Sequence, residues 1–419
     1  MPVGDSAFFK VQSLQAVHEK IGKIERLQTE IVALDRAMGR TLAADLVAPH
    51  DLPGFRRATM DGFAALSRDT FGASETAPTY LTMIGEIKMG KLPAFSLQSG
   101  QCARIGTGGM MPEGSDCVVM VEHSRLVDPA GSTVEIARSV PPGGNVLGAA
   151  DDAARGQCLL PAGQKLRSQD VGLLAALGVT EVDVVRCPKL GIISTGDEVV
   201  PVSASPGPGQ VRDVNSHTLV CLARLSGAEP HLLGLVKDDE TRLRAAVQRS
   251  LETSDLTLLS GGSSVGVRDL TREVFLSFGD AEVLVHGVSV APGKPFIWVK
   301  AGDHHLLGLP GQVTSCVIAF HLFVEPMVER MLGRAARSFT LFPSVEARLT
   351  RNLPSSPGRE TYIRVDLKED PTGAVLAEPL FGRSGLLRTL TAAKGLLRVP
   401  LGNEGIEAGT MVQVLRFPA

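Results

Sequence analysis

Three short stretches set glycine beside hydroxyl or carboxylate side chains directly after apolar runs. They are Ser194-Thr195-Gly196-Asp197-Glu198, Ser260-Gly261-Gly262-Ser263-Ser264-Val265-Gly266 and Gly308-Leu309-Pro310-Gly311. Glycines after a strand let backbone approach an anion closely, and a following helix offers unpaired N–H groups and the positive end of its dipole. The second stretch is the most informative. No Lys follows Gly266, so it is not a GxxxxGK[ST] phosphate loop, and it does not fit GxGxxG. A Walker-type ATPase and an NAD dehydrogenase are both disfavoured. Asp269, three residues past Gly266, is suited to hold Mg2+ or accept bonds from a ligand, and Asp197 and Glu198 to bind metal or hydroxyl groups. Lys294, in APGKPF, can meet a phosphate as a point charge. Each has a plainer reading as well: a tight strand-to-helix turn, a helix N-terminal acid, a solvated turn, a surface lysine. Further upstream, Thr59-Met60-Asp61-Gly62-Phe63 is a polar break between apolar flanks, and Arg104-Ile105-Gly106-Thr107-Gly108-Gly109 is another glycine-rich turn.

The elements needed to position these residues can be read from the pattern. Residues 187–335 alternate strand and helix with short loops, which predicts a doubly wound α/β domain. Leu190–Ile193, 231–236, Leu256–Leu259, AEVLVHGVSV, PFIWV and LLGLP read as its strands. Asn215 or Ser216 is expected to cap a helix closed by Gly227, residues 238–251 form a second, Asp269 opens a third, and a long apolar helix runs near 313–332. In such sheets ligands sit beyond the carboxyl ends of the strands, at the switch in strand order. Residues 49–145 are dense in Pro and Gly turns and read as a β-rich module inserted into an N-terminal mixed region of residues 1–48 and 146–186. In the latter, Leu14, Val17, Ile21 and Ile24 recur at helical spacing, and Ser168 is expected to cap a helix ending at Gly178. Residues 336–419 return to alternating strands and predict a small β-barrel. His304 and His305 fall in a hairpin turn, AGDHH, and are expected to face solvent.

Composition closes off other classes. The 419 residues carry 42 Lys and Arg against 45 Asp and Glu, a formal net charge of −3, with no clustered basic excess for nucleic acid. Aromatics are 4% of the chain, too few for a base-stacking platform. No apolar run is long enough for a transmembrane helix, and the first residues do not read as a signal peptide. The six cysteines show no CxxC pair and no zinc-finger spacing, as expected of free thiols in a reducing compartment, so the cytoplasm is the expected location.

Taken in order, the motifs resemble one family, the molybdopterin molybdenumtransferases, which include the E domain of gephyrin. The resembling stretches are FRRATMDGFA (55–64), RIGTGGMMPEGSDCVV (104–119), GIISTGDEVV (191–200), RDVNS (212–216), LLSGGSSVGVRD (258–269), APGKPF (291–296) and GLPGQVTS (308–315). The resemblance runs through nearly the whole chain. It implies four domains in a homodimer that inserts molybdate into adenylylated molybdopterin, releasing AMP and yielding molybdenum cofactor. It further implies that the α/β domain cradles pterin and nucleotide phosphates with Ser194 to Asp197, the 260–266 loop, Lys294, Pro310 and Gly311. Glu198 and Asp269 would contact ligand or Mg2+, and Asp61, Thr107 and Asp152 would complete the cleft. Cofactor-synthesis proteins and molybdoenzyme chaperones are the protein partners it implies. Several family positions are replaced: Ala291 stands where a Lys commonly precedes Pro-Gly-Lys, Gly287 stands at a further Lys position, Gln312 and Val313 replace Asn-Pro, and Asn145 to Asp152 lacks the family's arginines. Two readings follow. One is an active transferase with another cation set, drawn from Arg268, Arg212 and Lys294. The other is a catalytically weak paralogue that carries molybdopterin or a related nucleotide. A phosphohydrolase or nucleotidyltransferase on the same scaffold is a third.

Overall fold

Leu190 through Thr195 is buried at every position, as a strand covered on both faces must be. This strand, β1 (Lys189–Thr195), lies second in a six-stranded sheet with β2 (Glu229–Val236), β3 (Leu256–Ser260), β4 (Glu282–His286), β5 (Ile297–Ala301) and β6 (His304–Leu309), in the order β2-β1-β3-β6-β5-β4. The first four in that order run parallel; β5 is antiparallel to both neighbours. The expected doubly wound arrangement is present, with an antiparallel hairpin added. Only Gly302 and Asp303 separate β5 from β6, far too few residues for a parallel crossover.

The computed structural model describes residues 11–128, 130–261, 265–340, 342–355 and 357–417, which divide into two units: one of residues 1–31, 39–43 and 183–419, and one of residues 32–38 and 44–182. In the larger unit helices cover both faces of the sheet. On one face α1 (Asn215–Ser226) packs Leu219 and Ala223 against Leu190, Ile192, Leu258 and Trp298. On the other, α2 (Glu240–Thr253) and α3 (Val265–Leu276) bring Leu243, Val247, Val274 and Phe275 onto Ile193, Leu259, Ile297 and Val299. The alternation of Ile192 with Ile193 and of Leu258 with Leu259 is the period-two pattern of a strand with two buried faces. Gly227 closes α1 with φ +90°, the left-handed conformation that favours glycine. The cap at its other end is Asp213, whose carboxylate accepts from the Ser216 N–H at 3.1 Å and Oγ–H at 2.6 Å, rather than Asn215 or Ser216. Helix α3 starts four residues before Asp269, which therefore lies inside it. The apolar helix near the end of the domain is buried from Val313 to Glu329. It consists of α4 (Val313–Ala319), a π-helical stretch Phe320–Val324 and α5 (Glu325–Met331).

The C-terminal strands Ser344–Leu349, Glu360–Glu369, Val375–Pro379, Gly395–Val399 and Met411–Arg416 close into a five-stranded barrel, because the second pairs with both the third and the fourth. Ala347, Val365, Ala377, Leu397 and Val414 fill it. In the smaller unit a six-stranded sheet holds Cys117–Met120, Gly62–Ala65, Gln101–Ile105, Thr79–Glu86, Thr133–Ile136 and Ser124–Leu126 in spatial order. Leu46–Val47 pairs with Cys158–Leu160, joining chain on either side of it. Helix Ser168–Ala176 begins after Arg167, so Ser168 is its first residue and not its cap. Asp170 instead reaches back to the Arg167 N–H at 2.8 Å.

Candidate functional site

One line of register crosses the whole sheet: Ile193 beside Leu259, Leu259 beside Gly308, Gly308 beside Ile297, and Ile297 beside His286. Everything immediately past that line emerges at one edge. The loops beginning at Ser194, Ser260 and Leu309 are brought together there, joined by the 287–296 loop that carries Lys294. This edge includes the switch point between β1 and β3, where strand order reverses and a crevice opens. Lys294 is exposed on a tight loop whose shape is held by its own carbonyl, which accepts from the N–H groups of Val288 at 3.0 Å and Phe296 at 2.9 Å.

The hydroxyls at this edge hold the loops in place. Ser194 Oγ donates to Asp213 at 3.0 Å and Thr195 Oγ1 to Asp238 at 2.6 Å. Asn215 Nδ2 donates to Ser260 Oγ and to the Gly311 carbonyl, each at 2.8 Å, tying the second and third loops together. Lys237 Nζ donates to the Asp197 carbonyl at 2.6 Å. Gly261 is sterically required, and Gly196 is favoured by its positive φ. A Cβ on Gly261, at φ +145°, would lie 2.0 Å from the Thr195 carbonyl oxygen, and one on Gly196, at φ +149°, would lie 2.8 Å from the Glu198 carboxylate. The first and second loops thus meet backbone to backbone. Cys316 lies 3.7 Å from Ser260 Oγ, but burial pushes its thiol up to about 12, so it is no nucleophile at neutral pH. Gly262, Ser263 and Ser264 lie outside the described residues. Gly266 is the second residue of α3, and Asp269 is exposed one turn further on. Pro310 and Gly311 lead through Gln312 into α4.

Arg364, from the barrel, is a cation that the sequence reading passed over. It is 7% exposed. Its guanidinium donates to Thr314 Oγ1 at 3.4 Å, to Thr389 Oγ1 and to the Gly382 carbonyl at 2.6 Å. Among the described residues no carboxylate pairs with it. Thr314 follows Gly311 by three residues, so the cation stands beside the third loop. A buried guanidinium with only neutral partners retains a full charge to offer an anion.

Asp61 and Thr107 are brought together within the smaller unit. Asp61 Oδ1 accepts from the Thr107 N–H at 2.6 Å and from its Oγ1 at 2.7 Å. These two bonds lower the Asp61 pKa and keep an exposed carboxylate ionised. The glycine after Asp61 is obligatory: a Cβ on Gly62 would lie 1.9 Å from the Val119 carbonyl oxygen. Asp152 is exposed and shares no hydrogen bond with that pair; its N–H donates to the Leu52 carbonyl at 3.0 Å. Glu198, like Asp269, is exposed. No group of three or more His, Cys, Asp or Glu gathers among the described residues. Glu198 and Asp269 are each a carboxylate oxygen donor of the type that Mg2+ takes. The residues missed from sequence are Asp213, Asn215, Asp238 and Arg364. The first two stand in the RDVNS motif, where Asp213 is given no role and Asn215 only that of a helix cap.

Three family models match consecutive stretches of the chain. Residues 10–178 match the model of the MoeA N-terminal region (domains I and II), residues 191–330 that of a probable molybdopterin binding domain, and residues 346–417 that of the MoeA C-terminal region (domain IV). The chain is 34% identical to the molybdopterin molybdenumtransferase of Bacillus subtilis over 93% of its own length and 90% of the relative's. It is 35% identical to that of a Nostoc species, over 93% and 89%. Among solved structures, the MoeA molybdopterin biosynthesis protein of Pyrococcus horikoshii superposes with a TM-score of 0.82 at 29% identity, covering 97% of this chain and all of that one.

Proposed function

Since the chain belongs to the molybdopterin molybdenumtransferase family, we propose that it inserts molybdate into adenylylated molybdopterin, releasing AMP and yielding molybdenum cofactor. The observation that carries this reading is the shared edge of the α/β sheet, where glycine-bearing loops meet beside Lys294 and Arg364. Backbone N–H groups near Gly196 and Gly261 and at the start of α3 receive the pterin and nucleotide phosphates. Asp213, Asn215 and Asp238 fix the loops that present them. Glu198 and Asp269 would hold Mg2+, which when bound supplies charge to neutralise the phosphate that leaves with AMP. Arg364 and Lys294 supply the cationic partners for molybdate, replacing the lysine positions occupied by Ala291 and Gly287. The weak-carrier alternative is not favoured, because enzymes by name match this chain over nine-tenths of its length. The reading includes a homodimer at work in the cytoplasm.

The test uses purified protein with adenylylated molybdopterin, Mg2+ and molybdate, following AMP release and active cofactor. AMP release that depends on molybdate is expected, and Asp269→Ala should abolish most of it. Tight pterin binding without any molybdate-dependent AMP release would overturn the assignment.

A further inference from the structure

At the opposite edge of the sheet, near the amino ends of β3 and β6, lies a cleft of about 840 Å3. Small-molecule sites span about 300–1,000 Å3. The chain following helix Leu14–Ile21, the turn at Ser254 and Asp255, and strands β4, β5 and β6 line it. Leu256 pairs with His305 at this end, whereas Ser260 pairs with Leu309 at the other, so the cleft is separated from the loops above by the length of the strands.

His305 is 7% exposed and lines this cleft. An indole N–H can only donate, and that of Trp298 donates to His305 Nδ1 at 3.2 Å. The proton of the neutral ring is therefore on Nε2. Burial, with Lys300 nearby, pulls the imidazole down to about 4, so the ring is neutral at physiological pH. Nε2–H has no partner among the described residues and is not sealed from the cleft. On the opposite face of the same end of the sheet, Ser254 Oγ and His304 Nε2 are buried and unpartnered. Such groups are rare in native structures and call for a partner. Lys300 stands directly across the hairpin from His305, on the same sheet face, with its side chain exposed. Lys23 is exposed on the cleft's other wall. Arg186 and Asp255 neutralise each other in a two-pronged pair, at 2.7 and 2.8 Å.

We propose that this cleft is a second ligand site, for a small molecule bearing an oxyanion, either a carboxylate or a phosphate, that accepts from His305 Nε2–H and pairs with Lys300 and Lys23. Trp298 is the only tryptophan of the chain, and its indole is bonded to the binding imidazole. Its emission therefore responds to occupancy of this cleft, and the Lys300→Glu variant separates that response from binding at the other edge of the sheet.

The full-length protein is titrated separately with inorganic phosphate and with succinate, each against potassium chloride at matched ionic strength. A saturable change in Trp298 emission with one of them is expected, and the responding probe identifies the oxyanion. Lys300→Glu should weaken binding by about tenfold or more, the loss of a charge-assisted hydrogen bond. His305→Gln, whose carbonyl can accept from Trp298 while its amide donates, should retain binding, and His305→Leu should lose it. Emission that follows only ionic strength overturns the proposal. So does an equal response in wild type and in Lys300→Glu of unchanged melting temperature.

Discussion

Arg364 shows how much rests on a single side chain. Burial costs a guanidinium its hydration, and here only two hydroxyls and a carbonyl compensate. An arrangement of that kind is retained where an anion completes the coordination. Arg364→Met removes the charge and keeps much of the volume. Molybdate-dependent turnover is expected to fall by tenfold or more, from the loss of about 1.5–3 kcal/mol of charge-assisted bonding. Arg364→Lys should recover part of it. The KM for molybdate should rise in both variants while pterin binding changes little. An unchanged molybdate KM in Arg364→Met removes the residue from the site. The Asp61 carboxylate makes a contrasting case. Thr107 meets it with a backbone N–H and a hydroxyl from the same residue, so its ionised state is set locally.

Among the elements, helix Ser168–Ala176 depends on its first turn. Asp170 accepts from the Arg167 side chain at 2.9 Å and from the Arg167 N–H at 2.8 Å, and the side-chain bonds hold its carboxyl down at about 2. Asp170→Ala should cost about 1 kcal/mol, the usual worth of a lost cap, and lower the melting temperature of the smaller unit by roughly 2–4 °C. The pH dependence has a definite sign. The carboxyl's pKa is depressed by folding, so its contribution is complete above the ordinary value of about 4 and is lost as pH falls toward about 2. Melting curves of wild type and Asp170→Asn should therefore converge on acidification through that window; a constant gap would contradict the ion pair. Sequence periodicity located this helix and its Gly178 terminus but assigned the cap to Ser168, since hydroxyls are common caps and a carboxylate reaching back from the third position leaves the same pattern. His304 and His305 were misplaced for a related reason. The turn needs only Gly302 and Asp303, so both histidines enter β6, and strand alternation carries His305 inward to Trp298.

For the molecule as a whole, the parts legible in sequence were those encoded locally: strand–helix alternation, the glycine loops, the return to strands in the barrel. Partners such as Asp238 for Thr195, or Arg364 for Thr314, lie 43 and 50 residues apart in the chain, and no local pattern encodes such pairs. The division into two units likewise arises from the chain leaving one core and returning to it, with Ala43 and Val185 in the core of the larger unit and Phe63 and Val119 in a core of the smaller. The cysteines allow that division to be tested. Cys102 and Cys117 are buried in the smaller unit and Cys316 in the larger, all three with thiols pushed up to about 12 by burial. Cys158 and Cys221 are exposed. Because the thiolate is the reactive form, a thiol reagent should label Cys158 and Cys221 in the native protein and leave the three buried thiols untouched. Each unit has its own core and is expected to unfold as its own cooperative block. With rising urea, labelling of Cys316 should track the emission change of Trp298, which shares its core, while Cys102 and Cys117 become reactive together at a different midpoint. Coincidence of all three thiols with the Trp298 transition would mean that the chain unfolds as one block and that the two cores are energetically inseparable.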